Sequence, residues 1–164
     1  MLSQKMGDAL NEQLAMELYS SYLYLAMSAY ASSQNLNGCA HWLRLQADEE
    51  RAHGMRICGF VQERGGRVLL KRVDAPPAEW PSAPAIFEDI ARHEKKVTES
   101  IYRLYELAQQ EKDHATGIFL QWFINEQVEE EAHADEILRQ FQAMGGAPHL
   151  LYLLDRQLGK RGAE

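Results

Sequence analysis

Residues 43–60 read LRLQADEERAHGMRICGF. Leu43, Ala47, Ile57 and Phe60 fall on one face at steps of three and four, the period of an amphipathic helix. Glu50 and His53 lie on that same face, inside the apolar stripe. A buried carboxylate is too costly to keep unless something cationic compensates it. The stretch therefore reads as a core-facing helix whose polar residues await a cation.

Three other segments repeat the pattern. The first helix is expected from about Gln4 to Ser33, with Leu10, Leu14, Glu17, Ser21, Tyr24 and Ser28 inward. The second, carrying residues 43–60, starts with Asn37 as its N-cap and stops at Gly65-Gly66. A third follows the N-cap Ser82, with Pro84 in its first turn, and runs to about Glu111; its seam is Phe87, Ile90, Glu94, Val97, Ile101, Leu104 and Ala108. The fourth starts near Asp113, ends at Gly145-Gly146, and turns Leu120, Phe123, Gln127, Glu130, Ala134, Ile137 and Phe141 inward. Glu17 precedes Glu50 by 33 residues and Glu94 precedes Gln127 by the same 33. His53 and Glu130 each stand three residues after the second member of their pair. Two halves of the chain thus carry one arrangement.

Helices of this length span roughly 40 Å at 1.5 Å per residue, which suits a four-helix bundle. Short links near Asn35 and Asp113 make two antiparallel hairpins. The connection between them contains Pro76, Pro77 and Pro81 and exceeds an ordinary loop, so it is expected to run the length of the bundle and join two parallel helices. The fold class is all-α, one domain over residues 1–164, with the bundle over about 4–144 and a short fifth helix over about 148–160. That fifth segment, LLYLLDRQL at 150–158, is apolar almost all round and is expected to bury against another subunit.

Composition narrows the function. With 164 residues, 46% of them hydrophobic, the chain can bury a core without staples. A formal charge of −7 argues against a nucleic-acid partner, which needs clustered Lys and Arg. No apolar run is long enough to span a membrane, and residues 1–5 lack the features of a signal peptide, so the expected location is cytoplasmic. Cys39 and Cys58 lie too far apart on one helix to bridge and are expected to be reduced, half-buried thiols.

Residues three apart share a helix face, so Glu50 with His53, and Gln127 with Glu130, can reach one ion together. Glu17 and Glu94 are supplied by the other helix of each hairpin. A Glu from each of two helices plus Glu-x-x-His from the others is a known di-metal carboxylate pattern. An oxygen-rich set with one imidazole favours iron or manganese over structural zinc. Glu130 and His133 form a rival Glu-x-x-His pair, but His133 falls almost a turn beyond the level of His53.

Taken together, Glu17, the run Glu49-Glu50-Arg51-Ala52-His53, Glu94 and the run Glu126-Gln127-Val128-Glu129-Glu130 resemble the bacterial non-haem ferritins, over all four helices, the crossover and the fifth helix. The resemblance implies a ferroxidase and iron store: Fe²⁺ enters a hollow shell of 24 subunits, is oxidised by O₂ or H₂O₂ at a dinuclear centre within each subunit, and is kept as ferric mineral. It implies that Glu17, Glu50 and His53 hold a first iron, that Glu50 bridges to a second held by Glu94 and Glu130, and that Gln127 sits beside the second. Glu49, Glu126 and Glu129 match the extra acids of a third iron site. Tyr24 and Trp122 match aromatics near the centre, as electron donors or as packing. Bacterioferritin, the nearest rival, has Glu and His where this chain has Gln127 and Glu130 and a haem-binding methionine where it has Ala52; Met55 lies on a shifted face, so no haem is expected. Another di-iron oxidase or peroxidase remains the alternative function.

Overall fold

The computed structural model describes residues 1–162; residues 163 and 164, at the end of the expected 1–164 unit, lie outside the described residues. Five helices follow one another: α1 (Gln4–Ser33), α2 (Asn37–Glu63), α3 (Ala83–Gln110), α4 (His114–Ala143) and α5 (Pro148–Leu158). Side-chain pairs fix their directions. Ser100 meets Gln13 and His93 meets Ser20, so α3 runs against α1; Arg64 meets Asp113 and Gln46 meets Glu130, so α4 runs against α2. Hence α2 and α3 are parallel, as the long crossover requires.

That crossover, residues 64–82, lies along α1. Asn11 holds one end, its amide donating to the Arg67 carbonyl at 3.0 Å and accepting from the Leu69 N–H at 2.8 Å. Tyr30 holds the other by donating to the Trp80 carbonyl, while the buried Trp80 indole donates to Asp89 at 2.7 Å. Asn11 and Tyr30 are about 28 Å apart along the helix axis at 1.5 Å per residue, so the strap covers most of the bundle's length.

The hairpin links are tight because single residues take left-handed backbone: Asn35 (φ 60°) between α1 and α2, and Lys112 (φ 54°) between α3 and α4. Within the first hairpin the small polar seam positions have a use. Ser21 and Ser28, seven residues apart on α1, donate to the carbonyls of Ala47 and Ala40, seven apart on α2, both at 2.7 Å. Their short side chains let the two helices approach closely.

Ser82 caps α3 as expected, accepting from the Ala85 N–H at 3.3 Å, and Asp113 caps α4, accepting from the Thr116 N–H at 3.1 Å. The start of α2 differs. Asn37 lies inside the first turn and Leu36, at the cap position, offers no side-chain oxygen. The cap comes instead from α5: the Asp155 carboxylate accepts from the Gly38 and Cys39 N–H groups at 3.1 and 2.8 Å. A negative group at the positive end of a helix dipole is favourable, and here it is supplied 117 residues away. A side chain at Gly38 would place its Cβ 1.6 Å from the Asp155 carbonyl oxygen.

This docking uses part of the fifth helix's apolar surface within the chain itself. Leu154 and Leu158 are buried within the chain's own core, and Leu151 packs on it; only Tyr152 and Leu153 are exposed large apolar residues of α5. The helix is amphipathic at the level of tertiary structure because Asp155 sets its rotation on α2. Cys39, beneath it, is fully buried and Cys58 half-buried, both free thiols.

Two stability predictions follow from these caps. Asp113 accepts from Thr116 and, through both oxygens, from Arg64 at 3.0 and 3.1 Å. Burial pulls its carboxyl upward, but the Thr116 and Arg64 hydrogen bonds outweigh that and hold its pKa below 3.8. Asp113→Ala is expected to cost about 1–2 kcal/mol in urea unfolding at neutral pH. Because the folded value is the lower one, this contribution is present above 3.8 and lost as pH falls through the folded value, so the gap between variant and wild type should narrow as pH falls below 3.8. Gly38→Ala is expected to lift α5 from α2, read as faster amide exchange over residues 148–158 with α1–α4 protection retained.

Candidate metal centre

Midway along the bundle, two apolar cores are separated by a polar layer. One core gathers Leu23, Met27, Leu43, Phe87, Ile137 and Leu154, the other Met6, Leu10, Ile57, Ile101, Leu120 and Phe123. Between them Glu17, Glu50, His53, Glu94 and Gln127 are all buried, and Glu130 nearly so. The 33-residue spacing puts these residues at one level because each hairpin folds back over nearly the same number of turns.

Ligand atoms of Glu17, Glu50 and His53 lie within 4.8 Å of one another, and those of Glu50, Glu94 and Glu130 form a second group within the same limit. Glu50 belongs to both. His53 Nδ1 stands 3.7 Å from Glu50 and 3.9 Å from Glu130, beyond hydrogen-bond reach of either, in the space an ion would fill. Trp122 and Phe123 meet the His53 ring edge-on, with centroids 5.3 and 6.1 Å away, and restrict its rotation.

Around the carboxylates stands a shell of donors. Gln13 donates to Glu17 at 2.7 Å, and its own oxygen accepts from the Ser100 hydroxyl at 2.6 Å. Gln46 donates to Glu50 at 3.3 Å and to Glu130 at 3.1 Å. Tyr24, fully buried, donates to Glu94. Gln127 donates to the other Glu94 oxygen at 3.1 Å and to Thr98 at 3.2 Å, and Thr98 donates in turn to Glu131. No arginine or lysine reaches the four central carboxylates among the described residues.

The electrostatics follow from that. Burial first, then the neighbouring Glu94 and Glu17, raises the Glu50 pKa well above the carboxylate range. Glu130 is raised by burial and by Glu50 and Glu94. Burial likewise raises Glu17 and Glu94 against the pull of their hydrogen bonds from Gln13 and Tyr24. The Tyr24 phenol is pushed well above 10 by burial and by Glu94. One oxygen of Glu17 and one of Glu130 are buried without any hydrogen-bond partner. Four carboxyls with two orphaned oxygens and one imidazole form a donor set that fits divalent cations: charge neutralisation would supply what the protein withholds.

Not every expected residue joins the layer. Glu49 and Glu129 are exposed and Glu126 half-exposed, and none of the three belongs to either ligand group. Glu49 is paired with Arg161 at 2.5 Å. His133 is exposed and also outside both groups, in line with its register. Sequence reading missed Gln13 and Gln46. They repeat the 33-residue spacing, each four residues before a central glutamate, and that signal was available. Thr98, four residues after Glu94 on the same helix and 33 before Glu131, carried the same signal, whereas Arg161, beyond α5, left none.

The comparisons agree with this geometry. Residues 7–144 match the family model described as a ferritin-like domain. A bacterial non-haem ferritin of Bacteroides fragilis is 38% identical over 161 residues, covering 98% of this chain and all of that protein. One from Staphylococcus aureus is also 38% identical, over 98% of this chain and 97% of its own length. Among solved structures, an open pore ferritin of the archaeon Archaeoglobus fulgidus superposes with a TM-score of 0.97 at 48% identity, covering 98% of this chain and 99% of that one. With the bundle, the crossover, the buried carboxylate layer and these likenesses in agreement, the chain belongs to the ferritin family.

Proposed function

We propose that the chain is a cytoplasmic ferroxidase that stores iron, with Fe²⁺ as its substrate and a dinuclear carboxylate centre as its site. The observation that carries this reading is the pair of ligand groups sharing Glu50, each with one buried oxygen left without a partner. Glu17, Glu50 and His53 hold the first iron; Glu50, Glu94 and Glu130 hold the second. Glu49, Glu126 and Glu129 supply a third, weaker position, for which Glu49 must leave Arg161.

Roles follow from the donors. Binding of Fe²⁺ offsets the burial that raises the carboxyl pKa values, and the orphaned oxygens of Glu17 and Glu130 become ligands. Each Fe²⁺ gives up one electron, and the electrons pass to O₂ or H₂O₂. Gln127, held by Glu94 and Thr98, presents a neutral amide beside the second iron, where an imidazole would bind it more firmly. Ferric iron favours hydrolysis of bound water, and the labile carboxylates release the product to the store. Tyr24 orients Glu94 through its hydroxyl and lies close enough to lend an electron. Trp122 packs on His53, and the Arg56 guanidinium lies 4.0 Å over the Trp122 ring.

Glu50→Ala and His53→Ala are each expected to slow Fe²⁺-dependent O₂ uptake by at least about tenfold, the lower bound for residues that merely support a metal site. Oxidation at the wild-type rate in both variants would remove the centre from this layer. Storage implies that many subunits assemble around a cavity, 24 by resemblance. Light scattering is expected to show one particle roughly three helix lengths across, about 120 Å at 1.5 Å rise per residue, and iron loading is expected to exceed two per chain many times over.

A further inference from the structure

Arg161, beyond the end of α5, reaches the metal layer through a single side chain. Its Nη1 donates to the Gln46 Oε1 at 2.9 Å, and the Gln46 Nε2 donates onward to Glu50 at 3.3 Å and Glu130 at 3.1 Å. An amide has one acceptor end and one donor end, and a guanidinium has no acceptor at all. Arg161 can therefore meet only the oxygen of Gln46. Were the amide to flip, donor would face donor at the arginine, and the oxygen would face two carboxylates. With Arg161 in place, the Gln46 N–H groups must point at the ligands.

Arg161 is itself held from several sides. Its Nη2 donates to Glu49 at 2.5 Å, its guanidinium lies 4.6 Å over the Trp42 ring, and its carbonyl contacts His41 Nε2 at 2.9 Å. Asp155 and the buried Leu154 and Leu158 fix the helix that delivers it. The two halves of the layer are matched in this respect but unequal. In the first, the neutral Ser100 hydroxyl fixes the oxygen of Gln13; in the second, a cation fixes the oxygen of Gln46. The second half contains Glu130 and Gln127, and of its residues Glu130 is oriented by Gln46 alone.

We propose that Arg161 is a positioning residue for the second metal position: through Gln46 it orients Glu130 and Glu50, so that the segment after α5 sets the affinity of the weaker half of the centre. This rests on the dinuclear reading above. The charge of Arg161 taken alone would oppose a nearby cation, so deleting charge and deleting orientation have opposite signs, and that difference makes the role measurable.

The test is anaerobic titration of Co²⁺ into the assembled full-length protein, following ligand-field absorption and the number of ions bound per chain. Arg161→Ala is expected to weaken the second Co²⁺ about tenfold, the low end for groups that orient metal ligands, with the first step within about twofold. Lys160→Ala, which removes an exposed charge from the same segment without touching Gln46, is expected to leave the second step unchanged or slightly tighter. Gln46→Met is expected to reproduce the loss, and Arg161→Ala with Gln46→Met to add nothing to it. An unchanged or tighter second step in Arg161→Ala overturns the proposal, as do equal weakening of both steps, an equal loss in Lys160→Ala, or additive losses in the double variant. Wild-type protein that binds fewer than two Co²⁺ per chain overturns the dinuclear reading, and this inference with it.

Discussion

Four carboxyl groups buried at one level of a helical bundle dominate this protein's physics. Each charged group taken out of water costs several kcal/mol, and mutual repulsion adds to that. The fold meets part of the cost by surrounding the layer with neutral donors, Gln13, Gln46, Tyr24 and Gln127, while burial raises the carboxyl pKa values. What it does not do is supply a permanent counter-charge. The Arg161 guanidinium is held one residue away, on the far side of Gln46.

The rest of the molecule makes this layer tolerable. Apolar cores above and below it contribute the burial that holds the helices in register, and the layer itself contributes little attraction. Long helices are needed for that: a bundle of half the length would have too little core on either side to carry an unfavourable middle. The strap along α1, tied at Asn11 and Tyr30, and the reach of Asp155 to the start of α2 close the two ends.

Inequality between the halves gives the centre its direction. The first half has an imidazole, the second a glutamine and a glutamate held by Gln46 alone, so in the proposed dinuclear reading an ion on the second side would be the easier to release. A storage protein must let its product go, whereas a cofactor site must keep it. In the same reading the weaker half is the one that Arg161 would adjust through Gln46.

Periodicity in the sequence determined the helices, the hairpin pairing and the candidate ligands, because an apolar stripe interrupted at matched positions leaves few places for the interruption to face. Leu43 to Phe60 with Glu50 and His53 already contained the argument, and the seam of α3 is buried without exception. Local signals did less well where a partner came from afar. Asn37 has the chemistry of a cap, yet Asp155 caps α2; the fifth helix looked apolar all round, yet one face lies on its own chain; Glu49 looked free to join a metal site, yet Arg161 holds it. Only tertiary structure decided these points, since each depends on which distant atom arrives at a helix end or beside a carboxylate. A sequence specifies which groups need a partner; the packing of α5 against α2 specifies which partner they receive.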